Sequence, residues 1–224
     1  MAGWMKTSLF WLTVIIAATY GISYWLDNKS FIFTHGDLED LAMKFKGTTI
    51  QKSFKTLVRD LKHRYGPHIL DADKSSFFFV NAGGWMGQVC PLHVSLTEYV
   101  LVFNTVQESR GHSGRYWLNI TDFVIDGWME QWKEQTFRVE NFTAGVTVFH
   151  PWLTSAGVHF GAGSWFLEYG RGFVPSSMFF ASADAFFSTH DFISWFAMIK
   201  AFGLGLAQEA FLSAEEFIAH VFDS

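Results

Sequence analysis

From Thr7 to Leu26 the chain runs twenty residues without a charged side chain, bounded by Lys6 on one side and by Asp27 and Lys29 on the other. As a helix rising 1.5 Å per residue, that run spans roughly 30 Å, the thickness of a bilayer's hydrocarbon core. Trp4, Trp11, Tyr20, Tyr24 and Trp25 gather toward its two ends, where aromatic rings sit at membrane–water interfaces. The pattern predicts an uncleaved transmembrane anchor over residues 1–29. The rival reading is a cleaved signal peptide; the long apolar part, the weak positive end and the aromatic exit weigh against it. Lys6 and the amino group face Lys29 across the span, so flanking charge leaves the orientation open. Two glycosylation triplets, Asn119-Ile120-Thr121 and Asn141-Phe142-Thr143, would matter in a luminal domain, but both fall in predicted strands and decide nothing.

The rest of the chain divides by pattern into three parts. Residues 30–74 read as helices packed on the domain that follows. Thr34 with Asp37 opens one that runs to Lys46 and stops at Gly47. A second, from Thr49 to Tyr65, puts Ile50, Phe54, Leu57, Val58 and Leu61 on one stripe and ends at Gly66-Pro67. Residues 75–175 change to short strands and Gly turns: Phe77–Val80, Glu98–Thr105, Tyr116–Ile125, Phe137–Phe142, Gly145–His150, and Val158–Val174 with turns inside it. That succession predicts an antiparallel barrel or sandwich, and a small closed barrel can enclose one apolar ligand. Residues 176–224 return to helix, opened by Pro175 and again near Ser188 and Asp191. Their Phe- and Trp-rich runs are too short to span a bilayer. They suit helices lying in a membrane interface, or a hairpin capping the barrel, or one face each. The class is α+β.

Composition limits the chemistry. Hydrophobic residues make up 50% of the chain and aromatics 19%, with 26 Phe and 10 Trp, which predicts aromatic-lined pockets or lipid contact. A net charge of −5 without a basic run argues against nucleic acid. The single Cys90 leaves no internal disulfide. Nine His are scattered with no His-x-His or His-x-x-x-His pair, so no metal is expected, and His93 and His112 read as hydrogen-bonded structural residues. A Gly-x-Ser-x-Gly nucleophile elbow is lacking. The glycines of Asn81–Gly87 have neither the Lys nor the following helix of a phosphate cradle, so no nucleotide cofactor is expected.

Two acids stand out instead. Between Glu140 and Glu168 there is no Asp, Glu, Lys or Arg, and Glu168 sits inside the apolar run Trp165–Gly172. Strand alternation puts Phe166 and Glu168 on one face, Trp165, Leu167 and Tyr169 on the other. A carboxylate among aromatics is disfavoured in its charged form unless a cation or a proton donor accompanies it, which makes Glu168 an anchor for a cationic ligand or a proton-transfer group. The alternative is a surface strand with Glu168 in water. Asp122 alternates likewise with Ile120 and Val124, and two facing acids would share a proton. Tyr99 either donates to one of them or is a core aromatic with its hydroxyl tied to backbone. Asp126, before Gly127, reads as a turn residue, and Asp184 as structural.

Several blocks carry a resemblance. Asn81-Ala82-Gly83-Gly84-Trp85-Met86-Gly87, Glu98-Tyr99-Val100-Leu101, Gly111-His112-Ser113-Gly114-Arg115-Tyr116-Trp117, Glu168-Tyr169-Gly170-Arg171-Gly172 and Phe187-Ser188-Thr189-His190-Asp191-Phe192 occur in that order. Over roughly residues 30 to 205 the chain resembles the family of the sigma-1 receptor and the fungal Δ8–Δ7 sterol isomerases, and is closer to the receptor branch. The resemblance implies an amino-terminal span, a cupin-like β-barrel, two membrane-associated carboxyl-terminal helices and a homotrimer. It implies an endoplasmic-reticulum membrane location, allows the nuclear envelope, and makes amphiphilic amines, sterols and membrane lipid the partners. It puts the ligand-binding acid on Glu168 and its partner on Asp122. The ligand-binding set it implies is Glu168, Asp122, Tyr99, Trp85, Met86, Phe103, His150 and Phe160, and in an isomerase Glu168 and Asp122 are the catalytic pair. Asn104 and Gln135 stand where turn glycines are expected, and His150-Pro151-Trp152 and Phe160 depart from the receptor pattern, which leaves pocket shape and ligand preference open.

Overall fold

The computed structural model describes residues 2–222, without the side chains of residues 2, 3 and 220. The chain divides between Ile32 and Phe33 into two compact units. The first is built on helix α1 (Ala2–Asn28), whose segment Trp4–Asn28 is long and apolar enough to cross a membrane.

The second unit begins with two helices, α2 (His35–Met43) and α3 (Ile50–Tyr65). The Thr34 side chain caps α2 by accepting from the Asp37 N–H. The stripe of α3 predicted from its period is inward: Phe54, Leu57, Val58 and Leu61 are buried, and Gly66 closes the helix at φ 56°.

Ten antiparallel strands follow: β1 (Phe78–Ala82), β2 (Trp85–Val94), β3 (Glu98–Asn104), β4 (Ser109–His112), β5 (Leu118–Asp126), β6 (Trp128–Lys133), β7 (Glu140–Thr143), β8 (Thr147–His150), β9 (Ala156–Phe160) and β10 (Trp165–Gly172). They form a six-stranded sheet in the order β1-β2-β3-β10-β5-β8 and a four-stranded sheet in the order β4-β9-β6-β7. The inward faces of both supply one apolar core, with Val89, Phe103, Val124 and Phe166 from the first and Met129, Val158 and Phe160 from the second. Three strands were not legible in the sequence. In β2 Pro91 cannot donate to a ladder, and the register shifts between Pro91 and His93 to accommodate it. Strand β4 holds Gly111, and β6 is a Trp-rich run with no clear period. Asn104 lies buried within β3 with its amide on Gln88, so no turn falls there; Gln135 does occupy a turn, at φ 61°.

Helices α4 (Pro175–Phe187) and α5 (Phe192–Phe222) pack along β1 and β2. Where the sequence reads as short Phe- and Trp-rich runs, α5 continues unbroken through Gly203. The helix uses Gly205 for close approach: a Cβ there would lie 2.6 Å from the Val94 carbonyl oxygen of β2. Phe180 and Phe202 turn inward onto the core, while Phe179, Phe187, Ile193, Phe196 and Phe211 remain exposed.

Candidate functional site

A cavity of about 200 Å³ lies between the two sheets. Leu101, Phe103 and Ile120 line it from the six-stranded sheet, Met129, Val158 and Phe160 from the four-stranded one, and Phe180, Ala181, Met198 and Phe202 from α4 and α5. Most of what faces it is carbon, with Ser113, Tyr116, Thr154 and Ser177 adding hydroxyls at its margin. Its charged groups gather in a band of polar side chains on four consecutive strands of the larger sheet.

Register explains that band. Glu168 of β10 pairs directly with Asp122 of β5, so period-two alternation aims both side chains at the cavity. One row further along, Tyr99 of β3 pairs with Gly170, Gly170 with Ile120, and Ile120 with His150 of β8. Tyr99 and His150 thus occupy the outer positions of one row and reach diagonally to the acids of the next. The Tyr99 hydroxyl donates to Glu168 Oε1 at 2.6 Å, and His150 Nε2 lies 3.1 Å from Asp122 Oδ2. Glycine at 170 is what admits the tyrosine ring, because a Cβ there would fall 2.1 Å from Tyr99 Cε1. The sequence carried a signal for this, a glycine in mid-strand, which marks close approach of another group.

The electrostatics follow from the walls. Glu168 is only half-buried by its own surface, but that surface opens on the apolar cavity, so its carboxyl is desolvated. Burial first, then the Asp122 charge, pushes the Glu168 carboxyl up to about 8; a hydrogen bond with Asp122 works in the same direction, and the one from Tyr99 opposes it. At neutral pH Glu168 therefore keeps its proton. Burial raises the Tyr99 hydroxyl well above its usual range, with the Glu168 charge adding to it, and Tyr116 is raised for the same reasons. Tyr99 and Tyr116 remain neutral.

Of the residues singled out in the sequence, Tyr99, Asp122, His150, Glu168, Trp85, Phe103 and Phe160 all line this cavity. The last three aromatics pack together, Trp85 on Phe103 at 5.4 Å and Phe103 on Phe160 at 4.9 Å between ring centroids. Met86 does not join them. Alternation along β2 turns it outward, half-exposed, into a separate cleft beside Asp191 and Trp195. Asp191 itself caps α5, accepting from the Ser194 N–H. His93 and His112 are hydrogen-bonded, the first through Nδ1 to the His68 carbonyl and the second accepting from the Gly114 N–H. Residues not anticipated are Gly170, Tyr116 and the helix residues Phe180 and Met198, which only the packing of α4 and α5 brings to the cavity.

Fold and site together define a class: an α+β chain with an apolar amino-terminal helix, whose antiparallel sheets enclose an apolar chamber holding paired carboxyls. The chain belongs to the family described as ERG2 and Sigma1 receptor like protein, whose model matches residues 9–213. It is 43% identical over 189 residues to sigma non-opioid intracellular receptor 1 of Danio rerio, covering 84% of this chain and 85% of that one. It is 34% identical over 162 residues to the protein erg2 homolog of Dictyostelium discoideum, covering 72% and 69%. Among solved structures, KdgF from Halomonas sp. is similar over 46% of this chain and 93% of its own, at 13% identity and a TM-score of 0.38.

Proposed function

We propose that this chain is a sigma-1-like membrane receptor or chaperone of the endoplasmic reticulum, binding amphiphilic amines or sterols in the chamber between its sheets. The observation that carries the reading is the Tyr99–Glu168–Asp122 band in an otherwise apolar cavity. An ammonium seated on Glu168 takes the place of that carboxyl's proton and leaves an ion pair in a medium of low polarity, where it is strong. The ligand's apolar arms then replace water along Phe103, Phe160, Leu101 and Met198, at roughly 25 cal/mol per Å² removed from solvent. Trp85, Phe103 and Phe160 offer ring faces to a cation. Helix α1 serves as the anchor, and the exposed Phe179, Phe187, Ile193 and Phe196 rest on lipid. The homotrimer stays part of this reading through the family resemblance alone.

A second reading is favoured by one feature, a carboxylic acid that keeps its proton at neutral pH. In Δ8–Δ7 sterol isomerisation a proton is added at one end of the ring double bond, giving a carbocation, and another is removed from a neighbouring carbon. Glu168 supplies the first, the Asp122 carboxylate takes the second, and exchange within the pair restores the start with no net change in protons. An amine ligand mimics that cation.

One experiment separates the two. The chain is expressed in cells lacking sterol isomerase, their sterols are analysed, and binding of a labelled amphiphilic amine is measured on the same membranes. Saturable binding that Glu168→Gln abolishes, without Δ7 sterol, supports the receptor. Δ7 product lost in Glu168→Gln establishes the isomerase, and absence of both contradicts the site.

A further inference from the structure

We propose that a second cleft, outside the cavity between the sheets, binds a single-chain membrane amphiphile with an uncharged hydroxyl head. The inference draws on the reading of α4 and α5 as resting on lipid, and not on the reading of the larger cavity as a ligand site. The cleft measures about 150 Å³ and follows β1, the edge strand of the larger sheet, where α4 and α5 pass along it. Phe79 and Asn81 alternate onto the same face of β1, and the ladder sets Asn81 directly opposite Met86 of β2, so all three project to that side. Ala185 of α4 and Trp195 of α5 complete the apolar part. Val80, Ala181 and Met198 line both this cleft and the larger cavity, so the partition between the two is thin.

The head group follows from which polar atoms are already engaged. Asn81, Thr189, Asp191 and Ser194 face the cleft. Asp191 accepts from the Ser194 N–H at 3.0 Å, and the Thr189 hydroxyl donates to the Asp184 carbonyl at 3.1 Å. The Trp195 indole N–H is likewise taken, by the Ser182 hydroxyl at 3.0 Å. The Asn81 amide and the Ser194 hydroxyl make no hydrogen bond to another described residue. Each can both donate and accept, which matches an alcohol, a group that does the same. A carboxylate head would meet the like charge of Asp191, and an ammonium would find that carboxylate already committed to the helix end. Size sets the tail: an apolar cavity of about 150 Å³ holds one benzene-sized group, so a single alkyl chain fits and four fused sterol rings do not. The exposed Phe187, Ile193 and Phe196 put the lipid that supplies such molecules beside the same two helices.

The test uses full-length protein in phosphatidylcholine nanodiscs, a photoactivatable hexadecanol, and peptide mass spectrometry to place the adducts. Saturable adducts on Met86, Ala185 or Trp195 are expected, and they persist in Glu168→Gln, which acts on the larger cavity alone. Ala185→Phe fills the cleft from a position outside that cavity and should cut this labelling roughly tenfold or more in protein that still shows its melting transition. Competition on the wild type needs no variant. Hexadecanol should displace the probe about five- to tenfold better than its methyl ether, which cannot donate, and better than hexadecanoate or hexadecylamine. Labelling confined to Phe187, Ile193 and Phe196 reports lipid contact alone and overturns the proposal, as does labelling confined to Phe103 and Phe160 of the larger cavity. An ether, acid or amine that competes as well as the alcohol overturns it too. So does cleft labelling that disappears in Glu168→Gln or survives in folded Ala185→Phe.

Discussion

The raised Glu168 carboxyl makes a prediction about stability that needs no ligand. An ordinary glutamate titrates near 4.5, and in the folded chain burial and Asp122 move it to about 8. The folded state therefore binds this proton more tightly than the unfolded chain, and the stability the proton contributes is complete below about pH 4.5 and lost as pH rises through about 8. At 1.36 kcal/mol per tenfold change in proton affinity, the full effect is on the order of 5 kcal/mol. Gln at 168 has the same shape and nothing to ionise. Glu168→Gln should match wild type near pH 4.5 and grow progressively more stable than it up to about pH 8.5, by several kcal/mol. For a chain of this size that is on the order of 10 °C in melting temperature. The assay is thermal unfolding of the detergent-solubilised protein at half-unit pH steps, read as the difference between the two proteins so that titrating groups remote from Glu168 cancel. Parallel curves across the range would refute the reasoning, since they would mean Glu168 is solvated and ionised at neutral pH.

Three further substitutions check the surrounding geometry. Gly170→Ala drives a methyl into the Tyr99 ring, so it should cost about 1–3 kcal/mol of stability and weaken amine binding, and adding Tyr99→Leu should recover most of the stability; additive losses in denaturant titrations would contradict the packing. Glu98 is fully buried and accepts from the Phe33 N–H and the Tyr169 hydroxyl at 2.8 Å. Glu98→Ala should destabilise by about 2–4 kcal/mol in the same titration, whereas a loss under 1 kcal/mol would show that water replaces those bonds. Phe103→Ala should reduce amine affinity at least tenfold while Met86→Ala leaves it unchanged, and equal effects in a binding assay would place Met86 in the cavity after all.

How much of this was legible in the sequence follows the range of the interaction concerned. The uncharged Thr7–Leu26 run, the Thr34 cap, the α3 stripe and the stop at Gly66 are local signals, and each element formed where its residues dictated. Glu168 and Asp122 stood out because each breaks an apolar alternation that a two-residue period makes visible. Their pairing depends on the β5–β10 register, which the sequence does not display, and the motif blocks around them supplied it only by resemblance. Met86 was misplaced for a related reason: a Trp-Met pair in a strand must send its two side chains to opposite faces, and only the ladder tells which faces inward. Phe180 and Met198 escaped notice because a helix face is chosen by what it packs against. Gly170 was quoted within a motif, yet its purpose appears only when the Tyr99 ring is seen lying across it.

The most direct measurement is the protonation of Glu168 itself. Isotope-edited infrared difference spectra, with and without a saturating amphiphilic amine at pH 7, should show a protonated carboxyl band vanish and a carboxylate band appear on ligand addition, both missing in Glu168→Gln. A band that does not respond to the amine, or that persists in the Gln variant, would contradict the claim that this carboxyl holds a proton in its apolar chamber and loses it when a cation binds.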